Sequence, residues 1–209
     1  MRTRVKFCGL RRAEDVKLAV SMGVDAIGLV FYAGSKRAVE ASQAAELCVH
    51  MPAFVTPVGL FVNPTAQQVE SVLTQVPLGL LQFHGEEEAD FCQSFGVPYI
   101  KAVRMRDSER LLHAVSAHPL ARGFLVDAFN AQSHGGTGTS FDWSLLPEVD
   151  QPIILAGGLG PDNLAQAIAQ VQPYAVDVSS SIESVPGVKD ADRMRAFLEQ
   201  VRLADQSNG

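Results

Sequence analysis

Two side chains that can exchange protons stand at the ends of short apolar runs. Cys8 closes the run 5–8, and Asp127 closes the run 124–127. If both runs are strands of one barrel, these side chains lie at carboxyl ends, the edge at which barrel enzymes carry their active sites. A thiolate acts as a base when nearby positive charge lowers its pKa from about 8.5, and Lys6 projects from the same side of the strand as Cys8. The spacing therefore predicts an acid–base pair of Asp127 and Cys8.

Each candidate also has an ordinary structural interpretation. Asp127 follows three apolar residues, where partial burial favours the protonated acid, but an aspartate after a strand can equally cap a helix. A cysteine is often a small buried hydrophobe, and this interpretation is preferred for Cys48 and Cys92, which fall within helical patterns. The three cysteines form no C-x-x-C pair, so we expect neither a disulfide framework nor structural zinc. Free cysteines are typical of a reducing compartment, and we therefore expect a cytoplasmic protein.

The elements that must position these residues alternate between short apolar runs and helical periods. Strands are predicted at 5–8, 26–31, 58–62, 78–83, 99–103, 124–127, 153–156 and 175–178, and helices at 13–22, 41–50, 66–75, 86–95, 108–117, 161–170 and 190–203. With a short segment through 146 counted as the unit that follows the sixth strand, eight repeated units with unbroken apolar strands predict a (βα)8 TIM barrel, an α/β fold, as one domain over 1–209 with a frayed tail at 204–209. An open doubly wound sheet competes, but it would place G-x-G-x-x-G after the first strand, where Cys8-Gly9-Leu10 stands.

Composition narrows the classes of function. The chain has 209 residues, of which 47% are hydrophobic and 19% are charged, as in globular proteins. Its formal net charge of −6 argues against general affinity for nucleic acid. We find no apolar run of membrane-spanning length and no secretory signal at the N-terminus. We therefore expect a cytoplasmic protein that binds neither nucleic acid nor a membrane.

Three loops at predicted strand ends are suited to an anion. Gly157-Gly158-Leu159-Gly160 follows the seventh strand, Ser179-Ser180-Ser181 follows the eighth, and a glycine-rich stretch at 135–138 follows the sixth. Glycine lets backbone N–H groups approach a phosphate closely, and the seventh and eighth loops form the usual phosphate site of barrels. The alternative is that these glycines only make tight turns.

Other polar residues are less decisive. Arg37 has the geometry to bind a carboxylate through two hydrogen bonds, although an ordinary surface arginine is the plain alternative. The acidic triplet 86–88 is interpreted as a solvated helix start rather than a metal site. The roles of His84 and Asp177 stay open from the sequence.

Seven short motifs together resemble one family. They are KFCG at 6–9, SKR at 35–37, QFHG at 82–85, LVDA at 125–128, GGTG at 135–138, LAGGL at 155–159 and DVSS at 177–180. In this order, over nearly the whole chain, they resemble the phosphoribosylanthranilate isomerases of tryptophan biosynthesis. The resemblance implies a barrel enzyme that carries out an Amadori rearrangement of N-(5′-phosphoribosyl)anthranilate without a metal or an organic cofactor.

The same resemblance implies residue roles. The residue matching Asp127 is expected to protonate the furanose ring oxygen, and the residue matching Cys8 to remove the C2′ proton. Arg37 would hold the anthranilate carboxylate. The phosphate would be held by backbone groups around four residues, namely Gly136, Gly158, Ser179 and Ser180. Either a monomer or a homodimer is compatible with the sequence.

One residue differs from the family pattern, and two alternative functions remain. Where the family usually has glycine after two serines, this chain has Ser181, which would be strained if the position needs positive φ. A rival phosphosugar barrel is a related isomerase of histidine biosynthesis or a pentose-phosphate epimerase; the former would carry an aspartate in place of Cys8. A non-catalytic barrel that binds a phosphorylated ligand is the other rival.

Overall fold

The chain forms a closed barrel of eight parallel strands in sequence order. The computed structural model describes residues 2–128 and 142–207. The strands are β1 (Arg4–Cys8), β2 (Ala26–Val30), β3 (Thr56–Phe61), β4 (Leu80–Phe83), β5 (Tyr99–Met105), β6 (Phe124–Ala128), β7 (Ile153–Leu155) and β8 (Ala175–Val178). The barrel closes where β1 pairs with β8, with Lys6 opposite Asp177. The predicted TIM barrel is confirmed.

Helices cover the outside of the barrel. They are α1 (Ala13–Ser21), α2 (Ala41–Cys48), α3 (Ala66–Leu73), α4 (Ala89–Gln93), α5 (Ser108–Ala117), α6 (Leu164–Val171) and α7 (Ala191–Ser207). Three start with a side-chain cap: Thr65 forms a capping box with Gln68 before α3, Asp107 accepts from the Arg110 N–H before α5, and Asp190 accepts from the Arg193 N–H before α7. Between β6 and β7 the described residues contain a 3₁₀ turn, Trp143–Leu145.

A short antiparallel hairpin lies between the last barrel strand and the last helix. It consists of β9 (Glu183–Val185) and β10 (Val188–Lys189), and Gly187 in its turn has φ of 84°. The sequence reading did not predict this hairpin. Pro186-Gly187 is a turn signal, but the flanking runs are too short to show the alternation of a strand.

Side-chain alternation divides the apolar core into two layers. An inner cluster fills the barrel: Leu80, Ile100, Ala102, Leu125, Ile154, Ala156 and Ala175. The larger outer cluster lies between strands and helices and includes fully buried Phe7, Phe83, Phe124 and Phe197. Because both faces of every strand are covered, the strands are almost continuously apolar.

The prediction that the acidic triplet 86–88 is a solvated helix start is wrong for Glu87. α4 begins at Ala89, and Glu87 is buried rather than solvated. Its carboxylate lies 2.9 Å from Lys101 Nζ and accepts from the backbone N–H groups of Asn63 (2.7 Å) and Gly85 (3.0 Å). Lys101 points outward from β5 into the apolar layer, so its ammonium needs a buried counter-charge. Glu87 supplies that charge and fastens the loop that follows β4.

The C-terminus and the start of α6 also differ from the predictions. Helix α7 continues to Ser207, because Ala204 is buried and Asp205 accepts from the N–H (2.8 Å) and hydroxyl (2.6 Å) of Thr3. Residues 204–207 are therefore not frayed, and 208–209 lie outside the described residues. Helix α6 begins at Leu164 rather than at 161. Within the described part of the chain, no helix is both long and apolar enough to cross a bilayer.

The buried pair of Lys101 and Glu87 gives a stability test. Lys101→Met leaves an uncompensated buried carboxylate, so we expect a loss of about 3–5 kcal/mol in the free energy of unfolding, measured by chemical denaturation. Adding Glu87→Gln removes that charge and should recover part of the loss. The control is Arg195→Met, which breaks an exposed ion pair with Asp192 and should leave stability unchanged. Equal losses in the single and double variants would contradict the electrostatic explanation.

Candidate active site

Cys8 and Asp127 both lie at the carboxyl end of the barrel. Cys8 ends β1 and is 5% exposed, and Asp127 lies near the end of β6 and is 6% exposed. Strands β7 and β8 separate β1 from β6 around the barrel. Alternation places Cys8 on the inner face with Lys6, and Asp127 on the inner face with Leu125 of the barrel interior. The predicted pair is therefore brought to one rim of the barrel.

An ion pair lies beside the thiol. Lys6 Nζ is 2.7 Å from Asp177 Oδ1, and both side chains are at least nine-tenths buried. Burial raises the pKa of Cys8 above its ordinary value, while the Lys6 ammonium opposes this effect most strongly and the Asp177 carboxylate adds to it. The expectation of a lowered pKa is thus not met, because desolvation outweighs the nearby cation. Asp177, left open by the sequence, serves as the partner of Lys6.

A glycine on the next strand makes room for this group. A Cβ at Gly28 of β2 would lie 2.7 Å from Cys8 Sγ and 3.1 Å from Lys6 Nζ. No side chain fits there without displacing the thiol or the ammonium. The sequence reading missed Gly28, although an isolated glycine inside an apolar strand is a known sign of close approach.

His84 stands next to the aspartate. Its Nε2 is 3.6 Å from Asp127 Oδ2, and Gln82 Nε2 lies 3.1 Å from its Nδ1. If the Gln82 amide donates to Nδ1, the ring carries its proton on Nε2 and directs it toward Asp127. Among the residues described, Nε2 has no hydrogen-bond partner. His84 is therefore a neighbour of the predicted acid rather than a distant core residue.

Arg37 is held by a carboxylate rather than exposed on the surface. Its Nε and Nη2 donate to the two carboxylate oxygens of Glu183 at 2.8 and 2.7 Å. Lys189 Nζ approaches Glu183 Oε1 at 2.8 Å. Hydrogen bonding to Glu183 raises the pKa of Arg37, so the guanidinium stays charged. The Nε edge is occupied, and a substrate carboxylate would have to meet the Nη1 edge.

The loop after β7 depends on glycine. Gly157 and Gly158 have φ of 79° and 62°, a region that side chains disfavour. Asn163 then fixes the turn: its Nδ2 donates to the Gly158 carbonyl, and its Oδ1 accepts from the Gly160 N–H, both at 2.9 Å. These contacts explain the late start of α6, since 161–163 belong to the loop.

The loop after β8 is joined to its neighbour. Ser181 lies in the 3₁₀ turn Ser180–Ile182. Its backbone φ is not positive. The expected strain at this departure from the family pattern is therefore absent. Instead, the Ser181 hydroxyl donates to the Leu159 carbonyl at 2.5 Å and ties the two candidate phosphate loops together.

Of the other residues predicted to bind the phosphate, Ser179 and Ser180 lie in the described part of the chain and Gly136 does not. Ser179 donates from its hydroxyl to the Cys8 carbonyl at 3.0 Å, so this loop also supports β1. Ser180 starts the 3₁₀ turn on the same rim. Gly136 and the rest of the 130–140 loop lie outside the described residues. In the chain from 2 to 128 and from 142 to 207, no three His, Cys, Asp or Glu side chains are grouped to hold a metal ion.

Because Lys6 and Asp177 carry opposite charges beside Cys8, removing one or the other should shift the pKa of Cys8 in opposite directions. Lys6→Met removes the cation and should raise the pKa of Cys8 further, whereas Asp177→Asn removes the anion and should lower it. A pH titration of thiolate ultraviolet absorbance measures both once the curve of the same protein with Cys8→Ser added is subtracted, because Cys48 and Cys92, whose pKa values burial raises to about 11 and about 12, titrate in both proteins.

The control for this titration is the exposed variant Arg195→Met, which should give the wild-type curve. Shifts of the same sign in the Lys6 and Asp177 variants would contradict the electrostatic account and point to a general packing change.

Comparisons with known proteins agree on one family. The family model "N-(5'phosphoribosyl)anthranilate (PRA) isomerase" matches residues 5–200. A relative named N-(5′-phosphoribosyl)anthranilate isomerase, from Pseudomonas aeruginosa strain UCBPP-PA14, is 50% identical over 200 residues, which are 95% of each chain.

Solved structures point the same way. Phosphoribosyl anthranilate isomerase from Thermotoga maritima superposes with a TM-score of 0.86 at 35% identity, covering 96% of this chain and 98% of its own. A second such isomerase, in complex with reduced 1-(o-carboxyphenylamino)-1-deoxyribulose 5-phosphate, has a TM-score of 0.83 at 34% identity with the same coverage. With a buried cysteine and aspartate at one rim of a TIM barrel, and with these matches over nearly its full length, the chain belongs to the N-(5′-phosphoribosyl)anthranilate isomerase family.

Proposed function

We propose that this chain isomerises N-(5′-phosphoribosyl)anthranilate to 1-(o-carboxyphenylamino)-1-deoxyribulose 5-phosphate, a step of tryptophan biosynthesis, in the cytoplasm. The observation that carries the proposal is the placement of Cys8 and Asp127, both more than nine-tenths buried, at the same rim in a chain of this family. Isomerising an aldosylamine needs one proton given, to the ring oxygen, and one taken, from C2′, on the two sides of C1′.

The first step in the proposed mechanism opens the sugar ring. Asp127 gives its proton to the ring oxygen, and the C1′–O4′ bond breaks as the nitrogen lone pair forms the C1′=N bond of a Schiff base. Asp127 is left as a carboxylate. His84 Nε2, 3.6 Å from Asp127 Oδ2, is near enough to stabilise that new charge.

The second step moves a proton from carbon. The Cys8 thiolate takes the C2′ proton, the C–H electron pair forms a C1′=C2′ bond, and the nitrogen regains its lone pair. The resulting enolamine loses its O2′ proton and gains one at C1′, which gives the ketone. Substrate and product have the same formula, so no external oxidant enters. Lys6 supports the thiolate form of Cys8 during this step.

Two anchors would orient the substrate between the acid and the base. We assign the anthranilate carboxylate to Arg37, whose charge contributes to the field at Cys8. We assign the phosphate to the linked loops after β7 and β8, through Gly158, Ser179 and Ser180, with Gly136 contributing from the sixth loop. The whole chain would act as one catalytic domain, as a monomer or a homodimer, on a phosphorylated small molecule.

The rival functions fit the site less well. A histidine-pathway isomerase would use an aspartate where β1 ends in Cys8. A non-catalytic binder has no need of a cationic group beside a buried thiol, or of a strand glycine that makes room for both. The retained acid–base pair therefore favours catalysis.

The experiment that tests this function is turnover of freshly generated phosphoribosylanthranilate by wild type, Cys8→Ser and Asp127→Asn. Wild type should convert the substrate, and each variant should lose about 10²- to 10⁴-fold in kcat while remaining folded by circular dichroism. Matched controls are Cys48→Ala, a cysteine on α2, and Asp192→Asn, a fully solvated aspartate on α7; both should keep wild-type rates.

Either of two results would overturn the proposal. An inactive, folded wild type would exclude the reaction, and full activity in either site variant would exclude the role given to that residue.

A further inference from the structure

A buried lysine from the β9–β10 hairpin completes the arginine anchor. The side chain of Lys189 is 0% exposed, and its Nζ lies 2.8 Å from Glu183 Oε1 and 3.0 Å from the Ser179 carbonyl. Glu183 is 4% exposed and holds Arg37 on its other side. Three charged groups thus form one chain of hydrogen bonds, with the single carboxylate between two cations.

The charges of these three groups do not cancel. Arg37 and Lys189 carry +1 each and Glu183 carries −1, so the trio has a net charge of +1. Without Lys189, the pair of Arg37 and Glu183 would be neutral and would attract a carboxylate only through its dipole and the free Nη1 edge of Arg37. In a buried setting of low dielectric this difference is large, because charges there are poorly screened. Arg37 alone already neutralises the Glu183 carboxylate and bonds both of its oxygens, so Lys189 is not needed to balance the charge of Glu183.

We propose that Lys189 is a positioning residue that keeps the Arg37–Glu183 pair cationic and thereby sets the affinity of this rim for the carboxylate of the substrate. The inference rests on the proposed function, in which Arg37 is the carboxylate anchor. Lys189 does not touch the substrate; it acts through Glu183. Specificity for a substrate that carries a carboxylate as well as a phosphate then depends on a hairpin outside the barrel strands.

Further contacts show that the hairpin is fixed in place. The Lys189 backbone N–H donates to Asp15 Oδ2 at 3.3 Å, and the Arg193 guanidinium donates to the Glu183 carbonyl. Burial lowers the pKa of Lys189, and the Glu183 carboxylate opposes that effect. Burial by itself would raise the pKa of Glu183, but Arg37 and Lys189 together outweigh it, so the pKa of Glu183 is lowered. The hairpin thus holds its carboxylate ionised at a defined distance from Arg37.

A structural role is the competing explanation, since Lys189 also bonds the Ser179 carbonyl and the Ser179 hydroxyl bonds Cys8. Three variants separate charge from structure: Lys189→Met, Glu183→Gln and the double variant. Their trio charges are 0, +2 and +1. If charge decides affinity, the double variant is better than Lys189→Met. If structure decides, removing a second buried partner makes it worse.

The experiment measures binding of two probes, anthranilate and inorganic phosphate, by calorimetry, together with KM and kcat for phosphoribosylanthranilate. Lys189→Met should weaken anthranilate binding and raise KM by at least about tenfold, with a smaller change in phosphate binding. Lys189→Met/Glu183→Gln should recover most of that loss. Glu183→Gln should bind anthranilate more tightly than the double variant. These two variants differ only at residue 189, so their comparison tests the effect of the Lys189 charge even if Lys189→Met alone does not fold.

Several outcomes would overturn the inference. They are a double variant no better than Lys189→Met, an equal loss for both probes, or Glu183→Gln binding no tighter than the double variant. Absence of isomerase activity in wild type, with the predicted order of anthranilate affinities intact, would instead reject the proposed function and leave the charge relation standing.

Discussion

The pairing of β1 with β8 is the constraint on which the site depends. It closes the barrel and sets Lys6 opposite Asp177, and their ion pair of 2.7 Å stands beside Cys8. The same seam brings the Ser179 hydroxyl to the Cys8 carbonyl. Because all eight barrel strands are parallel, the other polar side chains that end them emerge at this one rim. A barrel that failed to close here would lose the base, its cation and the eighth loop together.

Three buried carboxylates share one arrangement, since each is paired with a lysine. Asp177 pairs with Lys6, Glu87 with Lys101 and Glu183 with Lys189. Buried ion pairs add little net stability, because desolvation costs about as much as the attraction returns. Their contribution here is geometric: the first lies beside the thiol, the second fastens the loop after β4, and the third holds the arginine anchor. These three pairs thus fix the orientation of groups around the site, while small and branched apolar residues fill the barrel interior.

The sequence predicts the parts of this structure that follow from local pattern. Apolar runs mark strands, and parallel strands bring Cys8 and Asp127 to one edge, so the acid–base candidates were accessible without coordinates. Contacts that join distant residues were not. Arg37 and Glu183 are 146 positions apart, and no local pattern pairs them. The β9–β10 hairpin is too short for a periodic signal, Glu87 resembles a helix-start acid until its burial is seen, and the backbone of Ser181 avoids the strain that a family pattern implies.

The central claim is that Cys8 takes the C2′ proton while Asp127 serves the ring oxygen. The most direct measurement is a crystal structure of this chain with reduced 1-(o-carboxyphenylamino)-1-deoxyribulose 5-phosphate, whose atoms stand in for the open-chain product. The account predicts Cys8 Sγ within about 3.5 Å of C2′, with Asp127 toward the oxygen of the opened ring. A ligand bound with C2′ far from the sulfur, or with the thiol turned away from the sugar, would contradict it.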